Sequence, residues 1–302
     1  MSLILRATLA LGLFGAVYAA VPQDEKPPLE KPVQLAEGVW IRPSNLIGKY
    51  GSNVGWIEFK DFVVVVDAAF PAGAEEALGH IKATTGGKPI RYVIVTHYHG
   101  DHAMGTGVFA KEGAIIVSHA NARADFLKKN VDAYAKTAQR DADYRKYELA
   151  APTLTFTDVL AIDDGRRRAE VRFFGHAHTT GCVWTWLPAE KILFTGDACV
   201  NGPFNYMGDS DSASWIKALE QAEALKPEKI GPGHGAPAGA DLLATQKRYF
   251  VELREQVGRL VADGKSIEDA KTAVDIPAWK AWTGQSKMNV ANIEHVYREL
   301  KR

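Results

Sequence analysis

Cysteine is nearly missing from this chain: Cys182 and Cys199 are the two in 302 residues. That excludes a cysteine-rich zinc module and a disulfide-stapled scaffold. Charge of one sign is missing too, with Lys+Arg 36 against Asp+Glu 36. A protein that binds nucleic acid by neutralising phosphates is expected to be basic, so this balance argues against nucleic acid as a partner. Beyond residue 19 there is no apolar run near the roughly 20 residues that a membrane helix needs. Nor is there an internal repeat or a low-complexity tract. What remains is 46% hydrophobic and 24% charged, the composition of a globular protein. At this length a core forms without staples.

Residues 1–19 (MSLILRATLALGLFGAVYA) have the build of a secretory signal. Arg6 supplies the positive start, the apolar run extends from Ala7 to Val17, and Val17-Tyr18-Ala19 is a small-x-small cleavage site. The expectation is an exported protein, periplasmic or secreted, with no lasting membrane partner after cleavage. Residues 20–34 are Pro-rich and charged and read as a flexible linker. The stretch 35–302 shows no composition break and reads as one domain.

Strand patterns fall at 38–41, 54–59, 62–67, 91–96, 114–118, 153–162, 167–174, 183–187, 192–195 and 228–230. The run from Val63 to Val66 has no polar alternation, as in a strand buried on both faces. Asp163-Asp164-Gly165 marks a hairpin turn. Helical patterns cover 71–85, 101–111, 119–147 (one long helix or a pair), 212–225, 241–262, 266–272 and 288–300. Strands and helices are interspersed, so the fold class is α/β or α+β.

The chemistry concentrates at Thr96-His97-Tyr98-His99-Gly100-Asp101-His102, where an apolar strand runs into a loop. Reactive groups of α/β proteins gather outside the carboxyl ends of strands. Spaced by two, His97 and His99 project to one side of an extended segment. Asp101 and His102 follow in a turn. Imidazole and carboxylate are zinc ligands, so this heptapeptide offers part-shells for two metals. Three later strand ends carry more donors: His176-Ala177-His178-Thr179, Thr195-Gly196-Asp197 and Gly231-Pro232-Gly233-His234-Gly235.

HYHGDH resembles the H-x-H-x-D-H signature of the metallo-β-lactamase-fold hydrolases. GHAHT, FTGD and GPGHG resemble that superfamily's later motifs, in the same order, across roughly residues 35–236. The resemblance implies an αβ/βα four-layer sandwich with a dinuclear metal site at one edge. It implies that His97, His99 and His178 bind one metal, that Asp101, His102 and His234 bind the second, and that Asp197 bridges them. Two Zn2+ are the implied cofactors, with Fe or Mn open because His/Asp sites accept them. A hydroxide held between the cations would be the nucleophile, with Asp101 orienting it as the catalytic carboxylate.

The resemblance extends to exported β-lactamase-like or quinoprotein-relay-type metallohydrolases. It implies a small-molecule substrate carrying an amide, lactam, lactone or ester bond. Two alternatives stand beside this: a true β-lactamase, and a metal-binding accessory protein of a periplasmic redox system. Lactamases usually place Cys or Ser near the position of Asp197, which weighs against the first. Flavodiiron relatives replace the second histidine of the signature by Glu, so His99 favours hydrolysis.

Several residues carry weaker readings. His176 is expected to support the site and not to bind metal. Cys199, two residues past Asp197, is a minor candidate ligand; a bridge to Cys182 needs geometry that spacing does not supply. His80, His119 and His295 sit in helical contexts as ordinary residues. In the loop 201–211, Phe204, Tyr206 and Met207 are candidate substrate-contacting residues. Residues 50–53 are a candidate second flap. The C-terminal helices either cover the sandwich or form a dimer contact.

Overall fold

The computed structural model of the chain describes residues 31–44, 50–202, 205–277 and 285–302. The expected signal segment, most of the linker and Phe204 lie outside them. Among the described residues two sheets face each other. The first holds seven strands in chain order: β1 (Val33–Ala36), β2 (Val39–Arg42), β3 (Val54–Glu58), β4 (Val63–Val66), β5 (Ile90–Ile94), β6 (Ile115–His119) and β7 (Leu154–Phe156). Neighbours from β1 to β4 pair antiparallel, and those from β4 to β7 pair parallel. Parallel pairing needs crossovers. These are α1 (Pro71–Thr84), the short α2 (Gly100–Ala103) with α3 (Thr106–Lys111), and α4 (Ala120–Ala138) with α5 (Ala142–Arg145).

The second sheet has the order β13-β12-β11-β10-β9-β8. Its strands are β8 (Val159–Asp163), β9 (Arg168–Phe173), β10 (Val183–Leu187), β11 (Ile192–Gly196), β12 (Lys229–Pro232) and β13 (Ala238–Gly239). Around it run α6 (Ser212–Ala224), α7 (Asp241–Ala262), α8 (Ile267–Ala273) and α9 (Gln285–Leu300).

Strand alternation divides the core into layers. Val64, Val66 and Ile94 point inward against Val171, Val183, Ile192 and Phe194 of the second sheet. Val63, Val65 and Val93 point outward onto Ala77 and Ile81 of α1 and Phe109 of α3. On the other side Trp184 and Trp186 face Trp215 of α6, Phe250 of α7 and Val296 of α9. The result is the αβ/βα four-layer sandwich. Each fully buried aliphatic or aromatic side chain contributes about 1.5–3 kcal/mol. No helix among the described residues is long and apolar enough to cross a membrane.

Three expectations need correction. Residues 153–162 do not form one strand: β7 belongs to the first sheet and β8 to the second. The chain changes sheets at Thr157 and Asp158, whose carbonyls accept from His119 Nε2–H (2.9 Å) and Phe173 N–H (2.8 Å). Strand-forming residues stand on both sides of Thr157-Asp158, and a strand's composition does not say which sheet it joins. The helix expected over 101–111 is broken around Gly105, which packs against the Ala68 carbonyl where a Cβ would not fit. Lastly, β1 begins at Val33, inside the expected linker, because it finds a partner in β2.

Candidate metal centre

β4 and β5 set the floor of the site. Asp67 follows β4 with φ 63°, a left-handed conformation that Asp tolerates better than most residues. Its backbone N–H donates to Ile94 O at 2.8 Å, fastening it to the end of β5. Its carboxylate, 2% exposed as a residue, accepts from Thr96 N–H (2.8 Å) and Thr96 Oγ1–H (2.9 Å). It also contacts His102 Nδ1 at 2.8 Å.

These contacts decide which nitrogen each histidine presents. A carboxylate only accepts, so His102 Nδ1 donates to Asp67 and Nε2 faces the site. The Thr96 hydroxyl hydrogen is committed to Asp67, so Thr96 Oγ1 accepts from His97 Nδ1–H at 3.1 Å. His97 Nε2 is left facing the site, buried and without a hydrogen-bond partner. His99 is turned the other way. Its Nε2 donates to Asp209 Oδ2 at 3.1 Å, and its Nδ1 lies 2.9 Å from His178 Nε2.

Two donor clusters result: His97, His99, His178 and Asp197, and beside them Asp101, His102 and His234. In the second, His102 Nε2 is 3.3 Å from His234 Nε2, and Asp101 Oδ2 is 3.6 Å from His102 Nε2 and 3.1 Å from His234 Nε2. Tetrahedral zinc at about 2.0–2.1 Å from its ligands places donors roughly 3.3 Å apart, so these spacings fit. Asp197 spans both clusters. Its Oδ2 is 3.6 Å from His178 Nε2, while Oδ1 is 3.2 and 3.5 Å from His102 and His234 Nε2. A Cβ on Gly233 would stand 2.0 Å from Asp197 Oδ1, and Gly196 carries φ 50°, so both glycines permit this placement. His97, His102 and His178 are fully buried, whereas the His99 and Asp101 side chains are each 18% exposed. The site therefore opens on the His99 and Asp101 side.

The electrostatics suit a cation. Burial holds His97 well below its usual range and takes His178 down to about 3, so both stay neutral as ligands must. Burial opposes charge on His102 and His234 as well. There Asp197 and Asp101 outweigh it, raising His102 well above its usual range and His234 to about 9. Burial likewise opposes ionisation of Asp101, yet His102 and His234 bring it down to about 2. A cation at this cluster would take the place of the proton that the carboxylates favour on His102 and His234.

The structure brings together all seven residues that the motifs point to: His97, His99, Asp101, His102, His178, Asp197 and His234. Tyr206 stands over the first cluster, its ring centroid 5.8 Å from His99 and 6.2 Å from His178. Met207 does not contact the site opening. It is fully buried in the core shared with Trp215, where its apolar side chain is removed from water. Cys199 is buried in the same core outside both donor clusters, and both cysteines are free. His176 Nε2 donates to Asp209 O at 2.8 Å, a supporting contact. Residues 50–53 are no flap: Ser52 N–H donates to Asp101 O (3.0 Å), and buried Asn53 Nδ2 donates to Pro232 O and Gly235 O (2.8 Å each). They clip two ligand loops together.

Sequence reasoning missed Asp67 and Asp209. A carboxylate directly after an all-valine strand was a visible signal for Asp67. Asp209 was hidden among the loop acids. Tyr98 OH (2.6 Å) and Lys129 Nζ (3.0 Å) donate to it, and together with His99 they hold it ionised.

Comparison with known proteins agrees with this geometry. The model of the metallo-beta-lactamase superfamily matches residues 47–234. The chain belongs to that superfamily. A metallo-beta-lactamase type 2 of Bacteroides fragilis is 28% identical over 185 residues, 60% of this chain and 64% of the relative. A hydroxyacylglutathione hydrolase of Rhodobacter capsulatus is 25% identical over 213 residues, 69% and 70% of the two chains. The chain therefore spans somewhat under two thirds of the first relative's length and somewhat over two thirds of the second's. Among solved structures, a metallo-beta-lactamase from Pontibacter korlensis has a TM-score of 0.59 at 23% identity, covering 73% of this chain and 98% of the other. That likeness concerns the fold.

Proposed function

We propose that the chain is an exported dinuclear zinc hydrolase that cleaves an amide, lactam, lactone or ester bond of a small molecule. The observation that carries this is Asp197, whose two oxygens face two different histidine clusters. His97, His99 and His178 would hold one cation, Asp101, His102 and His234 the other, and Asp197 both. Cations bound there supply Lewis acidity and a water acidic enough to ionise near neutral pH.

The remaining work falls to the chain's own side chains. Asp101, ionised and partly exposed on the open side, would accept a hydrogen bond from the attacking water and so orient it. Tyr206, 42% exposed, offers an apolar wall to the substrate. The buried backs of His97, His102 and His178 keep bulk water from the far side. Zinc is favoured by the imidazole-rich donor set, and export by the segment 1–19.

The test is a substrate panel with zinc-loaded residues 20–302: a chromogenic cephalosporin, a lactone, an aryl ester and a hydroxyacylglutathione, each with a chelator control. Chelator-sensitive turnover of any member supports the hydrolase. A protein that holds two metals and leaves the whole panel intact would instead be the accessory metal-binding protein.

A further inference from the structure

We propose that the C-terminal helices α7 and α9 position the metal centre, acting through the loop 205–211. The inference rests on reading the centre as a metal site. These helices lie beyond the segment 47–234 that the superfamily model matches. They reach the centre by two polar routes.

The first route is a relay of buried amides. Asn292 of α9, 1% exposed, donates through Nδ2 to Asn205 O (2.8 Å) and to Tyr249 OH of α7 (3.0 Å). Asn205, also buried, donates through its own Nδ2 to Asp197 O at 2.7 Å and to Gln246 Oε1 of α7 at 3.3 Å. The backbone of the bridging aspartate is thus held, through one loop residue, by two helices. The second route lies at the other end of the loop. His295 Nε2 of α9 is 3.2 Å from Ser210 O and 2.9 Å from Glu299 Oε1. Glu299 accepts from Ser212 N–H at 3.0 Å. The residue before Ser210 is Asp209, whose carboxylate fixes the tautomer of His99. One helix therefore fastens both ends of a loop that touches a donor in each direction. Asn292, Asn205 and His295 are positioning residues, since none is among the donors.

The experiment compares Asn292→Leu, His295→Ala and, as a purely apolar cut in the same helix, Val296→Ala. Zinc affinity is read by competition with a chromogenic chelator, and Tm is read with and without zinc. Positioning predicts that Asn292→Leu and His295→Ala lose about tenfold or more in zinc affinity, in line with outlying supports of metal ligands. The Tm rise on adding zinc shrinks with it. Val296→Ala lowers Tm with and without zinc alike and keeps the parent affinity. Should Asn292→Leu fail to fold, His295→Ala, at a partly exposed site, decides alone. Parent-like affinity in the polar variants, or an equal loss in Val296→Ala, overturns the proposal. A parent protein that binds no zinc overturns the metal reading itself.

Discussion

At the scale of single residues, the centre is a problem of tautomers. Asp67 and Asp209 each consume the proton on one imidazole nitrogen, so the other nitrogen is free to coordinate. Replacing Asp67 by Ala is expected to weaken metal binding about 10–100-fold, read by chelator competition. Asp101→Ala should collapse turnover while leaving the far-UV CD spectrum unchanged, because its side chain is a donor at the open side and no part of the core. Unchanged turnover would sink the two-metal mechanism. His119 gives a pH prediction away from the centre. Its Nδ1 caps α4 by accepting from Asn121 N–H (3.1 Å), and burial lowers its pKa. The unfolded chain then takes up this proton first. The stabilisation is present above about pH 6.5 and is lost as pH falls below that value. The Tm difference between the parent and His119→Gln should therefore narrow from pH 8 to pH 5.5. The seven donors were legible in sequence because coordination restricts residue type and spacing together. Asp209 was not, because it acts on a histidine far along the chain; for Asp67 its place after β4 was visible, but its partner His102 was not.

At the scale of elements, legibility follows the range of the forces that make each one. α7 was read at its observed ends, since its apolar face and flanking loops are local. β7 and β8 merged in the reading because a strand's partner is not a local property. Caps are local and testable. Asp211 accepts from Ser214 N–H at 2.7 Å and caps α6, the helix that carries Trp215 into the core. Asp211→Ala is expected to cost about 1 kcal/mol, seen as a lower urea midpoint at unchanged slope.

At the scale of the whole molecule, the two halves of the chain build the two sheets, with the change at residues 157–158. Phe194 lies in the core between them, 2% exposed. Phe194→Ala is expected to destabilise by about 3–5 kcal/mol in denaturant. Zinc at a thousandfold over its Kd should add about 4 kcal/mol to the parent, and a chelator should remove it.

The donors obey the same division. His97, His99, Asp101 and His102 come from the first half of the chain, and His178, Asp197 and His234 from the second. Neither half owns a complete cluster. The centre is thus built like the shared active site of a heterodimer whose two subunits happen to be covalently joined. Its affinity for metal gauges how well the halves are docked. A change deep in the seam, out of reach of any ligand, would register there as surely as a change to a ligand.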